Sequence, residues 1–203
     1  MMEEYNINQT TLKILGLYST DYSKSLHLRE IARATKVDVK AVQLQLKRLE
    51  KINVLTSTLK GRNKECRLNL SNSITKYYMI MTEAFASINY LRKNFLIKKV
   101  VGEIGNQIEG VIVLFGSFAK SQTTKESDVD LFVIHRKKNH TNAAKEAGSL
   151  VGRTISIKSA NKKQFMKGLE EKDPLINEVV SNHIILKGMD DFCDTMWLYY
   201  GGQ

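Results

Sequence analysis

The chain has 203 residues and a formal net charge of +10, enough length for one large domain or two small ones with separate cores. The basic charge favours a polyanionic partner, because clustered lysines and arginines attract phosphate and release its counterions. Two distant cysteines exclude a disulfide framework, and the absence of a signal peptide or of about 18 consecutive apolar residues predicts a cytoplasmic protein without membrane contact.

Apolar residues recur at helical spacing three times in the first fifty positions. The first helix covers Gln9 to Ser19, a short helix follows around Ile31, and Asp38 is the expected N-cap of the third. After Asn53, the segments VLTSTL and CRLNL predict two strands joined by the basic turn LKGRNKE. The third helix has polar residues on the faces away from its apolar stripe: Lys40, Gln43, Gln45, Lys47 and Arg48.

This order of three helices and a hairpin resembles a winged helix-turn-helix. The resemblance implies that the third helix enters the major groove of double-stranded DNA and that the hairpin tip meets the backbone or minor groove. From Asp38 to Leu70 there are eight basic residues and three acidic ones, in agreement with that implication. A module for protein contact remains the alternative. The residues expected to contact DNA are Lys40, Gln43, Lys47, Lys60, Arg62 and Lys64.

The run GSFAKSQTTKESDVDLFVI in the second half carries the chemistry. It follows the apolar strand GVIVLF, so Gly116 and Ser117 form a turn in which the backbone can approach phosphate. Asp128 and Asp130 alternate on the next strand, about 7 Å apart on one face. Two such carboxylates can bind Mg²⁺, whose other ligands would be water and phosphate oxygens.

This run resembles the nucleotidyltransferase motif of the DNA polymerase beta superfamily, in its minimal prokaryotic form. The resemblance implies that Gly116, Ser117, Lys120 and Ser127 bind a nucleoside triphosphate, and that Asp128 and Asp130 are the catalytic metal ligands. Its third carboxylate, expected on a later strand, is missing from RTISIKSA. That strand offers Ser156 and Lys158 instead, and the lysine would either oppose a cation or contact phosphate directly.

The remaining sequence predicts a helix ending at Glu171, another beginning at Pro174, a short strand and a C-terminal helix. We therefore expect an α/β (α+β) chain with a winged helix-turn-helix over residues 1–72, a connecting helix over 73–93 and a minimal nucleotidyltransferase domain with a small mixed sheet over 94–203.

The function expected first is a DNA-binding transcriptional regulator whose second domain binds nucleotide and Mg²⁺. The alternative is an active Mg²⁺-dependent enzyme that transfers NMP from NTP to a protein or RNA hydroxyl, and the sequence leaves the enzymatic activity open. The apolar segment Ser71 to Leu91 must pack on a neighbour. That neighbour is its own domain, a second copy in a homodimer, or a toxin-like protein partner if the chain is antitoxin-like.

Overall fold

Two small β-sheets, each packed against helices, organise the chain in its computed structural model, which describes residues 7–61, 63–124, 126–135 and 141–201. The mixed α and β composition agrees with the expected fold class. The chain divides into two units, Met1–Phe85 with Met196–Gln203, and Ala86–Thr195. None of the helices in the described part of the chain has the length and apolar character of a membrane span.

The first unit contains three helices and a three-stranded antiparallel sheet in the order β1-β3-β2. The third helix begins after Asp38, whose side chain accepts hydrogen bonds from the amides of Lys40 (2.9 Å) and Ala41 (3.2 Å), which confirms the expected N-cap. The elements of the first unit are α1 (Gln9–Leu15), a 3₁₀ turn (Gly16–Tyr18), β1 (Leu26–His27), α2 (Leu28–Thr35), α3 (Val39–Lys51), β2 (Leu55–Lys60) and β3 (Asn63–Leu68).

Two details of the first unit differ from the sequence analysis. The strand β1 was not expected, because two residues are too short to show an alternating pattern; it exists through its pairing of Leu26 with Cys66. The placement of Gln45 away from the core was wrong. Gln45 is 8% exposed, and its side-chain oxygen accepts a hydrogen bond from the hydroxyl of Thr11 at 3.2 Å, which satisfies a buried polar group.

The second unit is built on a four-stranded mixed sheet in the order β6-β5-β4-β7, in which only β5 and β6 run parallel. The helix α4 begins in the first unit, and α10 ends there. The elements are α4 (Ser73–Lys93), α5 (Phe95–Ile104), β4 (Gly110–Phe115), α6 (Gly116–Ala119), β5 (Val129–His135), α7 (Thr141–Val151), β6 (Ile155–Asn161), α8 (Lys162–Glu170), α9 (Pro174–Ser181), β7 (Ile184–Lys187) and α10 (Met189–Gly201).

The strand β5 buries a different set of side chains on each face of this sheet. Leu131 and Val133 belong to a core shared with α5 and α7. Phe132 points to the opposite face, where its ring lies 5.8 Å from that of Phe165 on α8. Because side chains alternate along a strand, Asp130 shares the face of Phe132. The helix α9 also contacts the sheet, through β4, and it begins at Pro174 as expected.

Aromatic side chains join the two sequence segments of the first unit. The ring of Tyr22 stacks on that of Tyr200 at a centroid distance of 5.5 Å and meets that of Trp197 edge-on at 6.3 Å. Tyr22 is 1% exposed, so this contact belongs to the interior. Residues beyond Met196 are therefore part of the same folded unit as the N-terminal helices.

Candidate functional site

The turn between β4 and α6 is shaped around a carboxylate. Gly116 has a φ of +68°, a left-handed conformation that L side chains rarely adopt. A Cβ atom added there would lie 2.5 Å from Oδ2 of Asp130, much closer than non-bonded atoms allow. Glycine is therefore required at this position for two reasons: the backbone is left-handed, and the Asp130 side chain leaves no space for a Cβ. The half-buried Ser117 follows inside the short helix α6.

The register of β4 and β5 explains why Asp130 lies under this turn. Asp130 pairs with Phe115, the last residue of β4 before Gly116. Asp130 is half-buried, whereas Asp128 lies exposed just before β5 begins at the buried Val129. The two carboxylates thus stand at the mouth of the turn, with one against the protein and the other in solvent.

The electrostatic environment of Asp130 favours a cation. Burial raises the pKa of the Asp130 carboxyl, and the nearby charges of Asp128 and Glu178 raise this pKa further. The ammonium of Lys158 acts in the opposite direction. A carboxylate that is desolvated among like charges is stabilised by any positive group that approaches it, whether a proton, a metal ion or a side chain.

The neighbouring strand β6 supplies no acid to this cluster. Ser156 pairs with Asp130 in the parallel ladder, and Lys158 pairs with Phe132. Among the described residues there is no group of three or more His, Cys, Asp or Glu side chains that could hold a metal ion. Asp128 and Asp130 nevertheless fit a single Mg²⁺, because this ion usually takes only one or two carboxylates and completes its octahedron with water and phosphate oxygens.

A further carboxylate, which was not expected from the sequence, lies next to the turn. The ammonium of Lys120, just after α6, forms an ion pair with Glu178 of α9 at 2.8 Å. Glu178 is 58 residues from Lys120 in sequence and carries no motif, so only the packing of α9 on the sheet could have revealed it. Ser127, in contrast, is used by its own loop, where its hydroxyl accepts a hydrogen bond from the amide of Thr124 at 2.8 Å.

Comparisons with known proteins agree with this geometry. The profile of the family described as "Polymerase beta, Nucleotidyltransferase" matches residues 88–191, slightly more than half of the chain. The chain belongs to this nucleotidyltransferase family. One similar solved structure is described as "Crystal structure of the toxin-antitoxin with AMP-PNP"; it is 16% identical, covers 52% of this chain and 83% of that chain, and has a TM-score of 0.39. No curated protein matched.

The match to the polymerase beta nucleotidyltransferases lies entirely inside the second unit and does not include the basic residues of the first unit. Lys40, Gln43 and Lys47 are all exposed on α3. Their spacing of three and four residues places them on one side of this helix. The apolar Leu44, 50% exposed, lies beside Gln43 on the same surface. The structure thus brings these three predicted residues together.

The predicted hairpin residues are bound to carboxylates. The ammonium of Lys60 lies 3.0 Å from Glu65, and that of Lys64 lies 2.6 Å from Glu50. Both lysines keep much of their side chain in solvent, 64% and 47% respectively, so their ammonium groups remain accessible to an outside anion. Arg62 lies outside the described residues. This neutralisation could not be read from the sequence, because it depends on the pairing of distant residues.

Proposed function

We propose that this chain is a DNA-binding regulator whose nucleotidyltransferase unit binds a nucleoside triphosphate together with Mg²⁺. The single observation that carries the DNA-binding part is the exposed side of α3. It joins two lysines to a glutamine and an exposed leucine on one surface, while the opposite side of α3 packs in the core through Val42, Leu46 and Leu49.

Under this proposal the first unit is a winged helix-turn-helix and α3 lies in the major groove. Lys40 and Lys47 would contact phosphates, and Gln43 would reach a base edge, where glutamine can pair with adenine through two hydrogen bonds. Leu44 could contact a thymine methyl group. The hairpin lysines Lys60 and Lys64 would exchange their carboxylate partners for backbone phosphates.

Salt-dependent binding to the DNA upstream of the protein's own gene tests this proposal. In fluorescence anisotropy over a salt series, Lys40→Gln and Lys47→Gln should each lower the affinity on all sequences and reduce the slope of log K against log salt by about one. Gln43→Ala should instead relax the sequence preference. The loss of discrimination against the wrong base at the contacted position should be about 1–3 kcal/mol. Lys13→Gln is the charge-matched control, since Lys13 is an exposed lysine on α1. Folded protein that does not bind DNA at low salt would refute the proposal.

Nucleotide binding in the second unit is supported by the close approach of Gly116 and Asp130. Gly116, which has no Cβ, would let phosphate oxygens approach its backbone, and Asp128 and Asp130 would hold the metal. Mg²⁺ bound there neutralises triphosphate charge and can activate an attacking hydroxyl. Lys120 would contact phosphate after separating from Glu178, whereas the hydroxyl of Ser127 would keep the loop before Asp128 in place.

The second candidate is an active NMP transferase. It is favoured because the chain belongs to the nucleotidyltransferase family and carries a pair of carboxylates at the candidate site. In this reaction the oxygen of a protein or RNA hydroxyl bonds to the α-phosphorus of an NTP. The bond from that phosphorus to the β-phosphate oxygen breaks, pyrophosphate leaves and the hydroxyl proton passes to solvent. The role of Asp128 and Asp130 is to orient the phosphates for this displacement.

Incubation with α-labelled NTPs, Mg²⁺ and RNA or protein acceptors tests this candidate. Transfer of label should be lost in Asp128→Asn and kept in Glu126→Gln, which removes an exposed carboxylate from the same loop. Equal labelling by both variants would show that Asp128 is not part of the reacting centre. If no acceptor becomes labelled while DNA binding persists, the transferase candidate is rejected and the DNA-binding regulator remains.

A further inference from the structure

The edge strand β6 brings a positive charge to the carboxylate cluster. Asp130 pairs with Ser156, and Lys158 is the next residue of β6 on that same face. Diagonal neighbours on adjacent strands are about 7–8 Å apart, a distance that a lysine side chain can bridge. In agreement with this placement, the positive charge of Lys158 opposes the burial and the like charges that raise the pKa of the Asp130 carboxyl.

The two lysines near the site are held differently. Lys120 is ion-paired with Glu178. Lys158 is exposed and forms no ion pair with any described residue. Lys120 already offsets the charge of Glu178, but the carboxylates of Asp128 and Asp130 would repel the triphosphate unless other cations are present. Lys158 is therefore a cation built into the fold at a site that needs one.

We infer that the ammonium of Lys158 binds the phosphate oxygens of the nucleotide, so that the site retains a triphosphate without a divalent metal ion. This inference rests on the proposed nucleotide binding and adds a second, metal-independent source of positive charge to it. A lysine ammonium is a compact charge with three donors, which suits phosphate oxygens that point in several directions. Mg²⁺ at Asp128 and Asp130 would then strengthen binding without being required for it.

Isothermal titration of the full chain with inorganic triphosphate, in excess EDTA and separately in Mg²⁺, tests the inference without reference to the base. The unmodified chain should bind in both conditions. Lys158→Gln should bind at least about tenfold more weakly in EDTA, the loss expected for one charge-assisted hydrogen bond. The loss should be smaller in Mg²⁺. Lys158→Arg, which keeps the charge, should restore most of the affinity.

The control is Lys98→Gln, which removes one exposed lysine charge from α5, on the opposite face of the sheet. Its affinity should be unchanged in both conditions, and thermal melting should show that all variants are folded. Binding that requires Mg²⁺ and is unaffected by Lys158→Gln would overturn this inference and leave the proposed nucleotide binding intact. Absence of binding in both conditions would overturn both.

Discussion

Gly116 is constrained both by its left-handed backbone and by the nearby Asp130 side chain. A comparison with Gly152, which has only the first constraint, separates the two effects. Gly116→Ala must adopt the left-handed backbone and place its Cβ against Asp130, whereas Gly152, with a φ of +64°, has no atom within 4 Å of a built Cβ. We expect Gly152→Ala to lose roughly 1–3 kcal/mol of stability from backbone strain alone. Gly116→Ala should lose more and should also weaken triphosphate binding. Urea unfolding and calorimetric titration measure the two effects, and equal behaviour of the variants would contradict the close approach.

Glu65 links the stability of the first unit to pH. This carboxylate is 8% exposed, accepts a hydrogen bond from Ser25 at 2.7 Å and pairs with Lys60 at 3.0 Å. The hydrogen bond from Ser25 and the contact with Lys60 lower its pKa in the folded state. The resulting stabilisation is present above the unfolded glutamate pKa of about 4.3 and is lost as the pH falls through the lower folded value.

Glu65→Gln should therefore lower the melting temperature at pH 7, and this difference should shrink as the pH falls below the unfolded glutamate pKa of about 4.3. Trp197 is the one tryptophan in the sequence and packs on Tyr22, so its fluorescence reports on the first unit. Glu109→Gln, which removes an exposed carboxylate from the second unit, is the control. A difference between Glu65→Gln and the unmodified chain that stays constant from pH 7 to pH 3 would rule out this linkage.

The hairpin and α3 form one surface on which carboxylates limit the basic charge. Glu50 lies near the end of α3 and holds Lys64 of β3. If the first unit binds DNA as proposed, Glu50→Gln should free Lys64 for a phosphate and remove a repulsive charge. We expect the affinity to rise a few-fold and the salt slope to increase by about one phosphate contact. The anisotropy assay measures both, with Glu109→Gln as the control for net charge. A lower affinity would mean that Glu50 orders the hairpin for binding.

Local signals in the sequence predicted most elements of the fold. Asp38 and Pro174 marked helix starts correctly because capping and a proline at the first helical position act within a few residues. The apolar run before Gly116 marked β4 because this strand is buried on both faces. The turn and its two aspartates were recognised because their spacing is itself the motif.

The features that escaped prediction depend on residues that are far apart in sequence. Glu178 reaches Lys120 only because α9 packs on the sheet, and Glu50 reaches Lys64 only because the hairpin folds back on α3. The buried Gln45 was assigned to the wrong environment because its partner, Thr11, lies on another helix. Side-chain pairs of this kind leave no periodic pattern in the sequence.

The last helix of the second unit continues into the first unit, where its aromatic side chains contact Tyr22. Tyr200→Ala should destabilise the first unit by roughly 1–3 kcal/mol, because it removes the ring stacked on Tyr22 while keeping Trp197 as the fluorescent reporter. Leu198→Ala, in the same turn of α10 but 59% exposed, should cost little. Urea unfolding followed by tryptophan fluorescence measures both. Equal losses would mean that the stacking contributes nothing specific.

The split of the first unit between Met1–Phe85 and Met196–Gln203 also determines the order in which the protein can mature on the ribosome. Tyr22 is synthesised before Ala86–Thr195, whereas Trp197 and Tyr200 follow only after that segment has been translated. At elongation rates of about 5–20 residues per second, the N-terminal helices wait on the order of ten seconds for these rings. The nucleotidyltransferase unit is therefore fully translated before the unit proposed to bind DNA receives its last aromatic contacts.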